Sequence, residues 1–282
     1  MPGKMSRRKW LLGGGAFVAC AAGAVVLDDK WDLKLHRVTV EIENLSPAFD
    51  GFTIAHLTDL HLGHRVPIEF IEEAVVLANS AQPDVVALTG DFISHDPSLA
   101  GQCAGALQAL SPSDGVWGVL GNHDHWADPW TISEEFTRVG IEMLTNKQRY
   151  LSRGDAALRI AGIDDAVTGN DDMHAALGPV EYQPGQPPTV LLMHRPEEMV
   201  EAADREVDLV LAGHTHGGQI VVPFYGAPVI PSDVHRRFAA GLERVRDDSR
   251  TQIYVSSGVG MAIMKVRINC RPEVALITLT SA

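Results

Sequence analysis

Cysteine is scarce in this chain of 282 residues. There are three, and Cys20 falls in an uncharged opening stretch, which leaves Cys103 and Cys270 far apart in the body. A disulfide-built scaffold is thereby excluded, while a single Cys103–Cys270 bridge and two buried thiols both stay open. Basic charge is also short: 23 Lys and Arg stand against 36 Asp and Glu, a formal charge of −13. Lys4, Arg7, Arg8 and Lys9 are the only charges before Asp28, so without them the body moves from −13 to −17. Such a body repels nucleic-acid phosphates, and no nucleic-acid partner is expected. The late basic group of Arg236, Arg237, Arg244 and Arg246 reads as a solvated face. Internal repeats are missing, as is any low-complexity linker after residue 30. With 45% hydrophobic residues, one large core is expected rather than two domains.

The opening residues carry an address. Ser6-Arg7-Arg8-Lys9-Trp10-Leu11-Leu12 sets paired arginines directly before a Gly/Ala-rich uncharged stretch from Trp10 to Leu27. The layout resembles a twin-arginine export signal, with Trp10 where Phe is usual. The stretch is also just long enough for a membrane anchor, which takes about 17–25 residues. Residues 1–27 are therefore read as signal or anchor. The protein is expected to be exported across, or anchored in, the cytoplasmic membrane, with the twin-arginine export machinery and a membrane surface as partners.

From Arg37 onward, short apolar runs alternate with helical patterns, the signature of an α/β architecture. Five runs dominate: Phe52–Leu57, Val85–Leu88, Val116–Leu120, Val190–Met193 and Leu209–Ala212. Each is nearly continuous in apolar residues, as expected for strands covered on both faces. Between the first two, Ile68, Ile71, Val75 and Leu77–Ala78 recur at helical spacing until Gln82-Pro83 stops them. Further helices are expected at Leu99–Leu110, Ile132–Val139 and Pro196–Ala203, the second opened by a Thr131/Glu134 capping box. Runs at Leu158–Ile163, Ile253–Ser256 and Val274–Leu279 suggest a second sheet.

The five main runs lead into chemically similar turns. They end in Asp59-Leu60-His61, Gly90-Asp91, Gly121-Asn122-His123-Asp124, His194 and Gly213-His214-Thr215-His216-Gly217-Gly218. A strand-end Asp alone is usually a cap, and a lone His is usually a satisfied polar residue. Five such turns in series, each offering imidazole, carboxylate or amide, are better explained as one site. In open α/β sheets, ligands bind beyond the carboxyl ends of the strands.

The order Asp-x-His, Gly-Asp, Gly-Asn-His-Asp, His, Gly-His-Thr-His resembles the calcineurin-like metallophosphoesterase superfamily over nearly the whole body. His194–Glu197, Gly213–Gln219 and Arg271–Glu273 resemble an exported bacterial phosphodiesterase branch within it. The resemblance implies a four-layer α/β/β/α sandwich of two mixed sheets flanked by helices. It also implies residues 28–50 as lead-in and first strand, and 51–282 as the catalytic domain. By position, Asp59, His61 and His216 would hold one metal, Asn122, His194 and His214 a second, and Asp91 would bridge them. Two divalent ions are implied, Mn, Fe or Zn by the nitrogen and oxygen donor set, with manganese favoured. A metal-activated bridging water would attack phosphorus, with His123 as proton donor and Asp124 orienting its ring.

His36, His56, His64, His95, His125, His174 and His235 match no ligand position and read as ordinary residues, with His125 set apart because it directly follows Gly121-Asn122-His123-Asp124. Trp126, Trp130, Phe136, Phe224 and Tyr225 read first as core, second as walls of a substrate cleft. The expected reaction is hydrolysis of a phosphodiester or pyrophosphate, on an envelope lipid-linked or nucleotide-sugar substrate. The alternatives are a phosphomonoesterase or protein phosphatase, and a metal-binding scaffold without turnover. Against the first, Phe92 follows Asp91, and Asp124 stands where Ser/Thr phosphatases carry Glu. Against the second, every ligand position is filled.

Overall fold

The near-continuous apolar runs do become strands covered on both faces, and they divide between two sheets. The computed structural model describes residues 30–179, 185–262 and 264–282, so the signal or anchor expected over 1–27 lies outside the described residues. One six-stranded sheet runs, in spatial order, β1 (Lys34–Ile42), β12 (Glu273–Ser281), β2 (Thr53–Leu57), β3 (Val85–Thr89), β4 (Val116–Val119) and β5 (Glu142–Met143). The other runs β10 (Gly241–Arg244), β11 (Gln252–Val255), β9 (Leu209–Ala212), β8 (Thr189–Leu192), β7 (Ala156–Gly162) and β6 (Lys147–Arg153).

Alternation within each strand then feeds two cores. In β2, Ile54 faces the second sheet in a layer with Val85, Trp117, Val190 and Leu209. Its neighbour Ala55 faces the opposite way, towards the helices α1 (Ile68–Ser80), α2 (Ala100–Leu107) and α4 (Pro129–Arg138). The second sheet buries its own outer face under α5 (Met173–Leu177) and α6 (Met199–Asp204). The result is the four-layer α/β/β/α sandwich, with two mixed sheets flanked by helices. A sixth helix, α3 (Asn122–Ala127), starts directly beyond β4.

Three expectations are corrected. Val274–Leu279 belongs to β12, which lies in the first sheet, parallel to β1 and antiparallel to β2. A strand buried on both faces has no polar side to tell which sheet it joins. Helix α4 begins at Pro129 rather than Ile132, because Asp128 caps it, accepting from Thr131 N at 3.2 Å. The Thr131/Glu134 box is therefore not the cap. Of the two cysteine readings, free thiols hold: Cys103 and Cys270 are both buried and unbridged. Their thiols point at backbone carbonyls, Cys103 at Phe92 (3.7 Å) and Cys270 at His216 (3.2 Å).

One interior polar residue gives the fold a pH dependence. His56 on β2 is fully buried, with Nε2 bonded to Thr89 Oγ1 at 2.7 Å. Burial lowers its pKa from 6.5 to about 4, against the opposing pull of Glu273 and Asp59. Between those values the unfolded chain takes up a proton that the folded chain refuses, so stability falls as pH drops through 6.5 towards about 4. Across that window the loss is about 3 kcal/mol, at ~1.4 kcal/mol per pH unit. Urea unfolding of chelated protein at several pH values should therefore show a steeper acid loss for the wild type than for His56→Gln. Parallel curves would exclude His56 as the source.

Candidate metal centre

The turns after β2, β3 and β4 meet the turns after β8 and β9 where the carboxyl ends of both sheets share one edge of the sandwich. Asp59, His61 and His216 offer ligand atoms within 4.8 Å of one another, as do Asp91, His194 and His214. Asp91 Oδ2 stands 3.3 Å from both His61 Nε2 and His194 Nε2, between the two groups. Asn122, the first residue of α3, is buried, and its Oδ1 has no hydrogen-bond partner among the described residues. All seven sequence-derived ligand positions thus come together, from turns as distant in sequence as 59 and 216.

The backbone is strained at the same residues. Asp59, His61, Asp91, His214 and His216 all take left-handed φ, between 50° and 67°. That conformation costs an L-residue ~1–2 kcal/mol. Such strain persists where the surrounding structure enforces it, and it clusters at functional sites. Here it turns the chain sharply after β2, β3 and β9. The turns also lock together: His61 N donates to Asp91 O at 2.9 Å, Gly213 N to His194 O at 2.9 Å, and His214 N to Asp59 Oδ2 at 3.0 Å. Gly121 and Gly213 are needed for this approach, because a Cβ on the first would collide with Asp91 and one on the second with Asp59.

Hydrogen bonds fix which ring nitrogens face inward. His194 Nδ1 donates to Thr89 O at 2.7 Å, and His214 Nε2 donates to Pro231 O at 2.6 Å. In the neutral rings this leaves lone pairs on His194 Nε2 and His214 Nδ1, and those two atoms stand 3.2 Å apart. His61 Nε2 and His216 Nε2 meet at 3.1 Å, with neither Nδ1 hydrogen-bonded among the described residues. Facing lone pairs repel unless a cation or a proton lies between them. The carboxylates make the same demand. Burial opposes charge on His194, yet Asp91 and Asp59 lift its pKa to about 10. Asp59 stays well below the ordinary carboxylate range despite burial, held there chiefly by His216 and His61. A pocket that draws a proton onto a fully buried imidazole is short of positive charge. With Asp59 Oδ1 and Asn122 Oδ1 also lacking a hydrogen bond among the described residues, the donor set fits divalent cations bound by nitrogen and oxygen.

His123 lies on α3 beside this cluster. Its N–H donates to Asp91 Oδ1 at 2.9 Å, and its Nδ1 donates to Ser94 O at 2.8 Å. Burial lowers its pKa, with Asp91 pulling the other way. The expected partnership with Asp124 is corrected. Asp124 is spent on the backbone, accepting from Gly121 N at 2.9 Å and Phe92 N at 2.9 Å, so it ties the β3 and β4 turns together instead. The carbonyl of Ser94 orients the ring. A backbone acceptor has no residue-type signature, so sequence reasoning misses it.

Around the cluster opens a cleft of about 510 Å³, lined by Arg65, His95, Trp126, Arg195, Val229 and Met264 among others. His95 reads as ordinary in the sequence, but its ring lies 5.0 Å from that of His123. Trp126 lies 4.8 Å from the same ring and is 60% exposed, so it is a cleft wall and not core. Phe224 and Tyr225 are exposed as well, whereas Phe136 is core as expected. Arg267 is a further residue that sequence reasoning misses: fully buried, it donates to Ser257 O (2.8 Å), Gly258 O (3.1 Å) and Gly260 O (2.6 Å). That loop packs on Asp59, since a Cβ at Gly258 would collide with it.

The family described as Calcineurin-like phosphoesterase matches residues 52–218. The chain is 31% identical over 291 residues to the uncharacterized metallophosphoesterase YkuE of Bacillus subtilis (strain 168), covering 99% of each protein. It is 30% identical over 283 residues to the phosphodiesterase YaeI of Escherichia coli (strain K12), covering 98% of this chain and 99% of the other. Among solved structures, TT1561 of Thermus thermophilus aligns with a TM-score of 0.49 at 15% identity, over 74% of this chain and 90% of that one.

Proposed function

The chain belongs to the calcineurin-like phosphoesterase family and is a metal-dependent phosphoric ester hydrolase, and from that premise we propose that it cleaves a phosphodiester or pyrophosphate bond at the cluster between its two sheets. Asp59, His61 and His216 would hold one divalent cation, Asn122, His194 and His214 would hold the other, and Asp91 would serve both, with manganese the favoured metal. The observation that carries this reading is the 3.2 Å approach of the His194 and His214 lone pairs, fixed by Thr89 O and Pro231 O. When bound, such cations make water a nucleophile near neutral pH and offset charge on the phosphoryl oxygens.

The remaining work falls to the chain. Asp59 and Asp91 place the negative charge, and the ring of His123, its Nδ1–H held by Ser94 O, gives the leaving oxygen a proton from Nε2 when it is in its doubly protonated form. Arg195 is paired with Glu197 at 2.6 Å, and Arg65 is engaged with the Ala262 carbonyl. The Arg195 charge is thereby met by Glu197 and is not kept for the extra charge of a monoester. The apolar wall of Trp126, Val229 and Met264 favours a substrate with an organic group on each side of phosphorus. A lipid-linked or nucleotide-sugar ester of the cell envelope has that form. Turnover of an aryl phosphodiester and of the matching monoester, with Mn²⁺ and after chelation, tests the choice. Faster diester hydrolysis that chelation abolishes is expected, and faster monoester hydrolysis would overturn it.

Residues 51–282 carry every proposed site residue and form the catalytic domain together with β1 of the lead-in, which pairs with β12, and the protein works outside the cytoplasm or anchored in the cytoplasmic membrane. Arg7-Arg8 ahead of the uncharged Trp10–Leu27 stretch supports that location. Changing Arg7 and Arg8 to Lys is expected to leave the protein in the cytoplasm, whereas unchanged export would refute the twin-arginine route.

A further inference from the structure

Exposed large apolar side chains concentrate around the cleft mouth. Trp126 (60% exposed), Val229 (76%) and Met264 (43%) line the cleft itself. Gln219 and Val229, both cleft-lining, bracket a tight turn in which Val222 and Gly226 pair and Phe224 and Tyr225 form the tip. Phe224 is fully exposed, and it takes a left-handed φ of 65°. A bulky L-residue in that region is unfavourable, and an aromatic ring held wholly in water adds a second cost. Both costs serve to project an apolar group from the rim.

Two further observations bear on what that rim meets. The first is charge. Arg236 sits over the Tyr225 ring at 4.6 Å, Arg65 lines the cleft, and Lys265 follows Met264. An acidic protein thus presents cations beside its exposed aromatic residues. The second is the entry point of the chain. Lys30 Nζ donates to Lys265 O at 3.1 Å, and Trp31 packs edge-on against Phe70 at 5.0 Å. The described fold therefore begins beside the residue next to cleft-lining Met264. Only Asp28 and Asp29 separate Lys30 from Leu27, the end of the uncharged stretch. Three residue steps span at most about 11 Å.

We propose that the cleft rim rests on a lipid bilayer with anionic headgroups, Phe224 and Tyr225 entering the interface and Arg236 and Lys265 meeting the headgroups. Aromatic residues flanked by cations are suited to that boundary. The short tether and the rim then hold the cleft mouth at headgroup level, where an ester embedded by its acyl chains presents its phosphate. This rests on the envelope location proposed above, and the two separate experimentally.

The full chain, with Cys20→Ser and a single added cysteine at Phe224 carrying an environment-sensitive fluorophore, is reconstituted from detergent into vesicles of equal parts phosphatidylcholine and phosphatidylglycerol. A second chain carries the probe at Tyr150, an exposed position on β6. Flotation reports the anchor, and emission with quenching by bromine-labelled acyl chains reports docking. The expected result is flotation of both chains, with a blue shift and quenching at 224 only. Flotation with a solvent-like probe at 224, or with equal shifts at both positions, overturns docking and leaves the envelope location standing. Failure to float overturns docking and the anchored form of that location, and leaves export to the test at Arg7 and Arg8. A probe at 224 already shielded without lipid, in proportion to protein concentration, assigns the rim to a second copy and overturns docking. Changing Arg236 and Lys265 to Gln should weaken quenching at 224 at low salt far more than at high salt, and quenching insensitive to both would overturn the headgroup contact.

Discussion

Asp91→Asn is expected to lower turnover of an aryl phosphodiester by about a thousandfold, a barrier increase of ~4 kcal/mol. The size follows from where the carboxylate stands. Its Oδ2 is 3.3 Å from the inward nitrogens of both His61 and His194, while Oδ1 accepts from the His123 backbone at 2.9 Å. An amide keeps its oxygen on the His123 N–H, so its NH2 turns towards the two imidazoles. A negative acceptor shared by two metal groups becomes a donor that satisfies the imidazole lone pairs itself. The variant should fold, because size and the His123 bond are kept, but it should retain less metal. Metal per chain by mass spectrometry after dialysis, read beside turnover, checks this. Full metal content with turnover within tenfold of the wild type would remove Asp91 from its shared position.

Much of this site was legible because its ligands differ in type from their surroundings. Asp59, Asp91, Asn122, His194 and His214 each interrupt or end an apolar run, and a polar residue there demands a reason that a surface histidine does not. From sequence the five turns read as the edge of one sheet, whereas three belong to one sheet and two to the other. The convergence holds regardless, because stacking aligns the carboxyl ends of β2, β3 and β4 with those of β8 and β9. The assignment of β12 was not legible for a related reason: Val274, Ala275, Leu276 and Ile277 are all buried, so periodicity carries no face preference. Other omissions came from interactions with no residue code. Ser94 acts through its carbonyl, and Asp124 is engaged by backbone N–H groups that any sequence could supply. Trp126, Phe224 and Tyr225 read first as core because large aromatic residues usually are, and only their exposure shows otherwise.

His123→Gln is expected to separate chemistry from metal binding. His123 also lies within ligand distance of His61 and Asp91, so a ligand role and a proton-donor role must be told apart. Its Nδ1 is committed to Ser94 O, and its ring is packed among those of His61, His95 and Trp126 at centroid distances of 4.7, 5.0 and 4.8 Å. A ring so placed offers Nε2 alone, and the seven other donors already supply two metal groups. Removing a positioned general acid costs about 10²–10⁴ when the leaving oxygen needs a proton, and much less when the leaving group is stable as an anion. Turnover of an alkyl phosphodiester should therefore fall at least about a hundredfold, and that of a nitrophenyl diester about tenfold or less, with metal content unchanged. The ratio of the two losses is the decisive reading, since a purely structural disturbance would depress both esters alike. Equal losses accompanied by missing metal would make His123 a ligand and leave protonation of the leaving group to another residue of the cleft.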